Sequence, residues 1–233
     1  TTTAAYDPGF YYDGAAWGTI GYTGTGTFLP FGGDVYKNRA YLIQSAEPAY
    51  WYSELEAVTG ATTKVDLSSV IDEKSTLAII ASIVVADSIQ SEQFQAFVMF
   101  SGEVLFYSGS YPDSGSWGLV GKAKISPPLN YNCGVQYGGD YWIFCEEGVI
   151  SLKTLFLQGS ESAQLFNQNR RIHQTWVDTI KALRTWASSP FGAISNVRGV
   201  WDRVNGRIYI RLPGYINSSG TFTSGNFYFV FDA

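Results

Sequence analysis

The sequence predicts an all-β fold, a β-propeller-like array of short antiparallel strands with one amphipathic helix near residues 168–187. Three observations carry that expectation. Aromatic residues make up 16% of the 233-residue chain, and aromatics favour half-buried pleated surfaces. There are 25 glycines, which supply tight turns. Strand–turn–strand units recur near residues 34–53, 95–108, 134–152 and 200–231. Hydrophobic residues reach 45% against 15% charged, so the chain can bury enough surface to offset its ordering entropy, and we read 1–233 as a single domain.

The elements follow in order. Residues 1–30 form an edge segment rich in Gly, Thr and Tyr, with a turn at Tyr11-Tyr12-Asp13-Gly14 and a strand from Trp17 to Tyr22. A turn at Lys37-Asn38-Arg39 leads to a strand ending at Ile43, and Ala49–Ser53 is the next. Leu77–Ala86 is β-branched through Ile79, Ile80, Ile83, Val84 and Val85, which suits a strand buried on both faces. Ser101-Gly102 joins Gln95–Phe100 to Glu103–Tyr107 as a hairpin. Trp117–Lys124 is another strand. Gly138-Gly139 separates Gly134–Tyr137 from Asp140–Cys145, and Val149–Leu152 follows a turn at Glu146-Glu147-Gly148. Arg207–Leu212 and Phe227–Phe231 complete the strands.

One segment breaks the pattern. Ile172, Trp176, Ile180, Leu183 and Ala187 recur at steps of three or four, as on one face of an inserted helix. Asn167 or Asn169 is placed to cap it, and Pro190 follows its end. The units recur every 45–65 residues by their turn markers, against about 40–50 per blade in familiar propellers. Four units are fewer than most closed propellers use. A fragment of a larger propeller therefore stays open, and the start Thr1-Thr2-Thr3, without Met, fits a piece of a longer protein.

Charge is distributed unevenly. The net charge is −5, yet residues 1–169 hold 7 basic and 17 acidic side chains, while 170–211 hold 8 and 2. The basic tract could meet an acidic partner or nucleic acid. A solvated helix and hairpin with no ligand is the simpler account.

Cys133 and Cys145 flank the Gly138-Gly139 turn. A three-residue loop would bring them face to face; a two-residue loop would send them to opposite faces. A disulfide stays open, and we read them as buried free thiols. No apolar run is long enough to cross a bilayer as a helix, so no membrane segment is expected.

The search for chemistry yields no catalytic residue, no cofactor and no metal site. His173 is the sole histidine and lies in the basic helix, without a Gly-x-Ser-x-Gly elbow to make a triad. One histidine and two separated cysteines do not match zinc spacings. Gly21-Tyr22-Thr23-Gly24-Thr25-Gly26 lacks the Gly-Lys-Ser/Thr ending of a phosphate loop. Asp113-Ser114-Gly115-Ser116-Trp117 is similar to the Asp-box turn of sialidase-like propellers, one residue short between Gly and Trp. A glycosidase needs only two carboxylates, so composition leaves that activity open. Tyr50-Trp51-Tyr52 and Tyr141-Trp142 are candidate exposed sugar- or protein-binding aromatics, with ordinary strand core as the alternative.

Several segments, taken in order, resemble one family. They include Val35-Tyr36-Lys37-Asn38-Arg39-Ala40-Tyr41, Tyr50-Trp51-Tyr52, and Gly102-Glu103-Val104-Leu105-Phe106-Tyr107-Ser108-Gly109. Then come Tyr111-Pro112-Asp113, Trp117-Gly118-Leu119-Val120-Gly121, Ile125-Ser126-Pro127-Pro128-Leu129 and Tyr137-Gly138-Gly139-Asp140. Glu147-Gly148-Val149-Ile150-Ser151-Leu152, Asn205–Pro213 and Phe227–Phe231 close the series. This order resembles virion structural proteins of tailed bacteriophages, especially short-tailed ones, over most of residues 30–233. Their hallmarks are a Gly-Glu-Val-x-x-Tyr-x-Gly hairpin, a Tyr-Gly-Gly-Asp turn, an Asp-Gly-Val-x-x-Leu strand and a closing Arg-x-x-Val-x-x-Pro strand. Glu147 stands where the family carries Asp, and the family's closing Thr-Gly-Ala-Trp turn is absent.

The resemblance implies a non-catalytic tail hub or nozzle. Such a protein forms a homo-oligomeric ring below the portal, located in the virion tail and forming part of the DNA ejection conduit. Its partners would be portal or adaptor and tail fibre or spike proteins, with transient passage of genomic DNA. An acidic channel lining from residues 1–169 would let DNA slide, because phosphate binding needs Lys or Arg. Arg170, Arg171, Lys181 and Arg184 are the candidate subunit-docking residues. A carbohydrate-binding propeller, receptor-binding or glycosidase-like, is the alternative.

Overall fold

A computed structural model of the chain describes residues 10–12, 15–19, 21–23, 30, 32–44, 46–86, 91–164, 170–186, 197–216 and 222–232. A small hairpin, β1 (Phe10–Tyr12) and β2 (Trp17–Thr19), comes first. Sheet one is built from β3 (Tyr22–Thr23), β4 (Gly32–Tyr36), β5 (Arg39–Ile43), β6 (Ala49–Ser53) and β7 (Gly60–Asp66), in the order β3-β7-β6-β5-β4. Sheet two is β8 (Leu77–Ala86), β9 (Ser91–Met99), β10 (Glu103–Ser108) and β11 (Gly118–Lys124), paired in sequence. Sheet three is β12 (Gly134–Tyr137), β13 (Asp140–Cys145) and β14 (Gly148–Ser151). Helices α1 (Leu152–Gln158), α2 (Ser160–Ala163) and α3 (Arg170–Trp186) follow it. Sheet four is β15 (Arg198–Asp202), β16 (Arg207–Ile216) and β17 (Phe222–Asp232). The fold is thus mostly β, in several sheets of which none closes on itself.

Turn chemistry sets the registers. Lys37 and Asn38 both adopt positive φ, 45° and 61°, and Tyr36 pairs with Arg39. The turn therefore has two residues, with Arg39 already in the strand, as a mirror-image turn matched to strand twist requires. Gly138 and Gly139 make the same turn at φ 52° and 84°, pairing Tyr137 with Asp140. The two-residue loop sets Cys133 opposite Phe144, whose N–H donates to the Cys133 carbonyl, rather than opposite Cys145. Both cysteines are buried and free.

Three expectations need correction. The helix near 168–187 is present as α3, but α1 and α2 precede it. Ser151 ends β14 and its hydroxyl accepts from the Thr154 N–H at 3.0 Å, so the chain turns into α1 where Leu152 was expected to continue the strand. The strands are not all antiparallel, because β3 runs parallel to β7. The expected strand from Trp17 to Tyr22 is split between β2 and β3. The candidate caps Asn167 and Asn169, Pro190, Asp13-Gly14 and Gly24–Gly26 lie outside the described residues.

The sheets stack face to face. One side of sheet two packs Leu77, Ile80, Phe97, Met99 and Leu105 against Tyr36, Tyr41, Ile43, Tyr50 and Tyr52 of sheet one. Its other side packs Ile79, Ile83, Phe94, Val98 and Phe106 into a second core with sheet three, the helices and sheet four. β8 is thereby buried on both faces, as its apolar run, interrupted only by Ser82, required. Trp176 plugs α3 into this core, fully buried, and its indole N–H donates to the Cys145 carbonyl at 2.9 Å. Ile208, Ile210 and Leu212 close it from sheet four.

Candidate functional site

The first antiparallel strand of each sheet is an edge strand: β4, β8, β12 and β15. β4 packs on β8, and β12 packs on β15. Together they border a cavity of about 210 Å³. Gly33, Gly134 and Gly199 let three of these backbones approach it. A Cβ on Gly199 would sit 2.4 Å from the Phe144 ring, and one on Gly134 would sit 2.3 Å from the Tyr141 ring. The polar residues lining the space are Tyr131, Asn132, Tyr141 and Arg198. Among the described residues, such a lining offers hydrogen-bonding groups but brings no carboxylate to act as acid or base.

Next to the cavity lies a polar seam. Asp34 of β4 is held close to Ser82 of β8 and Gln95 of β9, and burial raises its carboxyl above the ordinary range. Its Oδ1 accepts the Val35 N–H at 2.8 Å, while Oδ2 makes no well-aligned hydrogen bond, although Ser82 and Gln95 lie near enough to moderate the rise. Both polar atoms of the fully buried Gln95 side chain are also unmatched. Burial, followed by the nearby Cys133 and Asp34, likewise raises the Tyr141 phenol. Unmatched groups beside one another at this depth make the seam a costly place in the fold.

Several other carboxylates hold turns together. Glu103 is buried and accepts the Asp72 N–H on both oxygens, at 3.1 and 3.0 Å, with the Lys122 ammonium 3.6 Å away. Asp140 accepts from the Trp142 indole at 3.0 Å, the Ser151 hydroxyl at 2.6 Å and the Lys153 N–H at 2.8 Å, tying a turn to the start of α1. Asp202 accepts from the Val204 and Asn205 N–H groups, and these bonds, led by that from the Asn205 side chain, hold its carboxyl below the ordinary range. Asp113, in the Asp-box-like segment, takes the Tyr52 hydroxyl. Among the described residues, no three His, Cys, Asp or Glu side chains converge as metal ligands.

The sequence-predicted docking residues separate on inspection. All four belong to α3. Arg184 is ion-paired with Glu146 of the same chain, and Lys181 is exposed. The side chains of Arg170 and Arg171 lie outside the described parts of the chain. His173 is partly exposed on the same helix. Tyr50, Trp51 and Tyr52 are buried, so they are strand core, the other of the two readings the sequence offered for them, and not exposed binding aromatics. Tyr141 and Trp142 are half-buried.

Sequence reasoning missed Arg198 and Arg211. Strand register places them directly opposite one another on the uncovered face of sheet four. The signal was alternation: Arg198, Val200 and Asp202 share one side of β15, with Gly199 and Trp201 on the other. No family model and no curated protein matches the chain.

Proposed function

We propose that this chain is a structural, non-catalytic subunit of a bacteriophage tail, a propeller-type hub or nozzle ring through which DNA leaves the particle. The observation that carries the reading is where the resembling segments fall. Gly102–Gly109 spans the β9–β10 turn and all of β10, and Tyr137–Asp140 is the β12–β13 turn. Glu147–Leu152 covers β14, and Asn205–Pro213 covers the turn into β16 and much of that strand. The ordered series thus falls on turns and strands of consecutive sheets. Several of the resembling residues also carry a mechanical role. Gly102 permits φ +87°, Glu103 clamps the 72–73 backbone, and Asp140 braces α1.

Four sheets stacked through their faces, with their first antiparallel strands side by side around a cavity, suit blades of a propeller-like array. In such a subunit the functional quantities are stiffness and self-association, not turnover. The test is gentle dissociation of purified particles of the phage that encodes the chain, followed by mass spectrometry of the portal–tail fraction. The chain is expected there in fixed ratio to the portal protein. Its absence from particles, or recovery as a glycan-binding monomer, would overturn the reading.

A further inference from the structure

Sheets one, two and three each bury apolar side chains against the next sheet in the stack, and sheet four ends it. One face of sheet four is closed by Ile208, Ile210 and Leu212. Beyond the Asp202–Arg207–Asp232 row at one end, the other face carries two further cross-strand rows fixed by register. Val200, Tyr209 and Val230 form an apolar row, in which Val200 is 63% and Val230 50% exposed. Arg198, Arg211 and Tyr228 form the row beside it.

That second row is electrostatically unfinished. Arg198 and Arg211 are directly opposite and exposed, and their row contains no acidic residue. Arg211 donates to the Asn226 side-chain oxygen at 2.9 Å, a neutral acceptor that leaves its charge uncompensated. Like charges directly opposite on neighbouring strands destabilise a sheet. A carboxylate across the pair would turn that cost into charge-assisted hydrogen bonds. β17 adds an 11-residue edge strand that carries no Lys, Arg or Pro to discourage pairing.

The chain carries a matching surface elsewhere. The turn between β6 and β7 reads Glu54-Leu55-Glu56-Ala57-Val58, and both glutamates are exposed. Leu55 is 58% and Val58 47% exposed. The turn is held in place by the Glu56 N–H, which donates to the Asn38 carbonyl at 2.7 Å, so its apolar and acidic groups are presented without further ordering. Glu54 lies 3.6 Å from the Arg39 guanidinium but its side chain is 76% exposed, and Glu56 accepts from the Asn38 amide at 3.5 Å, so both carboxylates keep outward-facing capacity to complement two guanidiniums beside a Val–Tyr–Val row.

We propose that the uncovered face of β15–β17 binds the Glu54–Val58 turn of a second copy of this chain, head to tail. The proposal rests on the ring reading above and names the surfaces that join its subunits. Because the two surfaces differ, the contact is heterologous, and repetition produces a closed ring or an open filament.

The test uses the full chain and sedimentation velocity over a range of concentrations. Two charge reversals are compared with the wild type: Arg198→Glu with Arg211→Glu, and Glu54→Lys with Glu56→Lys. Far-UV circular dichroism and urea midpoints verify folding, and Leu55→Asp serves as a second probe should either reversal perturb it. Each variant alone is expected to associate about tenfold or more weakly than wild type, as truncated or reversed interface charges do. An equimolar mixture of the two reversals is expected to reassemble, because every junction again meets opposite charges. A wild type that associates while both reversals associate equally well overturns this interface but leaves the ring reading standing. A wild type that stays monomeric throughout overturns both.

Discussion

Gly102 and Glu103 sit side by side and illustrate how unevenly a sequence discloses its mechanics. Gly102 adopts φ +87°, and a Cβ there would lie 2.1 Å from the Ile125 carbonyl oxygen, a backbone atom that cannot swing aside. Gly102→Ala should therefore cost about 2–4 kcal/mol in urea unfolding, combining left-handed strain with a steric clash. That role was legible as a hairpin turn, because Gly between two apolar runs has a mechanism. The clamp made by Glu103 was not, since its partners, Asp72 and Glu73, lie about thirty residues earlier and only the fold brings them near. Asp34 gives a pH signature. Burial raises its folded-state carboxyl above the ordinary value, so its contribution to stability is full below that value and is lost as pH rises through the raised one. Asp34→Asn should raise the urea midpoint at pH 7 and flatten the decline of stability on the alkaline side of the ordinary carboxylate range. An unchanged profile would show that Asp34 is not held as described. The thiols are a further check. Burial pushes the Cys133 thiol up to about 12 and the Cys145 thiol well above its ordinary value. A disulfide-exchange reagent at pH 8 should label neither in the native state and both after unfolding.

Among the elements, β8 and α3 were the most readable. The β-branched Leu77–Ala86 run could not satisfy a strand with a solvated face, and it lies between two cores. The spacing of Trp176, Ile180 and Leu183 places all three on the buried side of α3. Trp176→Ala should cost about 3–5 kcal/mol by cavity formation. Trp176→Phe should cost less, about 1–3 kcal/mol, mostly from leaving the Cys145 carbonyl unmatched. Paired urea denaturations separate the two, and a Trp176→Phe variant as stable as the wild type would mean that the indole hydrogen bond contributes nothing measurable. The short helix α1 escaped notice because seven residues give too little periodicity, and its decisive signal is the Ser151 cap at the end of a strand. β15 was hard to see for a different reason. Gly199 and the charged residues around it dilute the alternation, although Gly199 is there to let β15 approach Phe144 and Val135.

For the molecule as a whole, the sequence announced four strand–turn–strand units, and each falls in its own sheet. What it could not announce is how those sheets stack, because packing order depends on faces that alternate within each strand. It also pointed to the basic tract as a docking element without saying which cations were already engaged. The fold divides them: Arg184 is paired within the chain, whereas Arg198 and Arg211 face outward beside an exposed apolar row. A stack whose last sheet keeps one face uncovered suits a subunit completed by its neighbour. The most direct measurement of the proposed function is a cryo-EM reconstruction of a phage portal–tail complex that contains this chain. The account predicts a ring of identical subunits around the DNA channel, each with four stacked sheets and with its β15–β17 face against the 54–58 turn of the next. Density that places the chain as isolated copies on the particle's periphery, or finds no copy of it, would contradict the account.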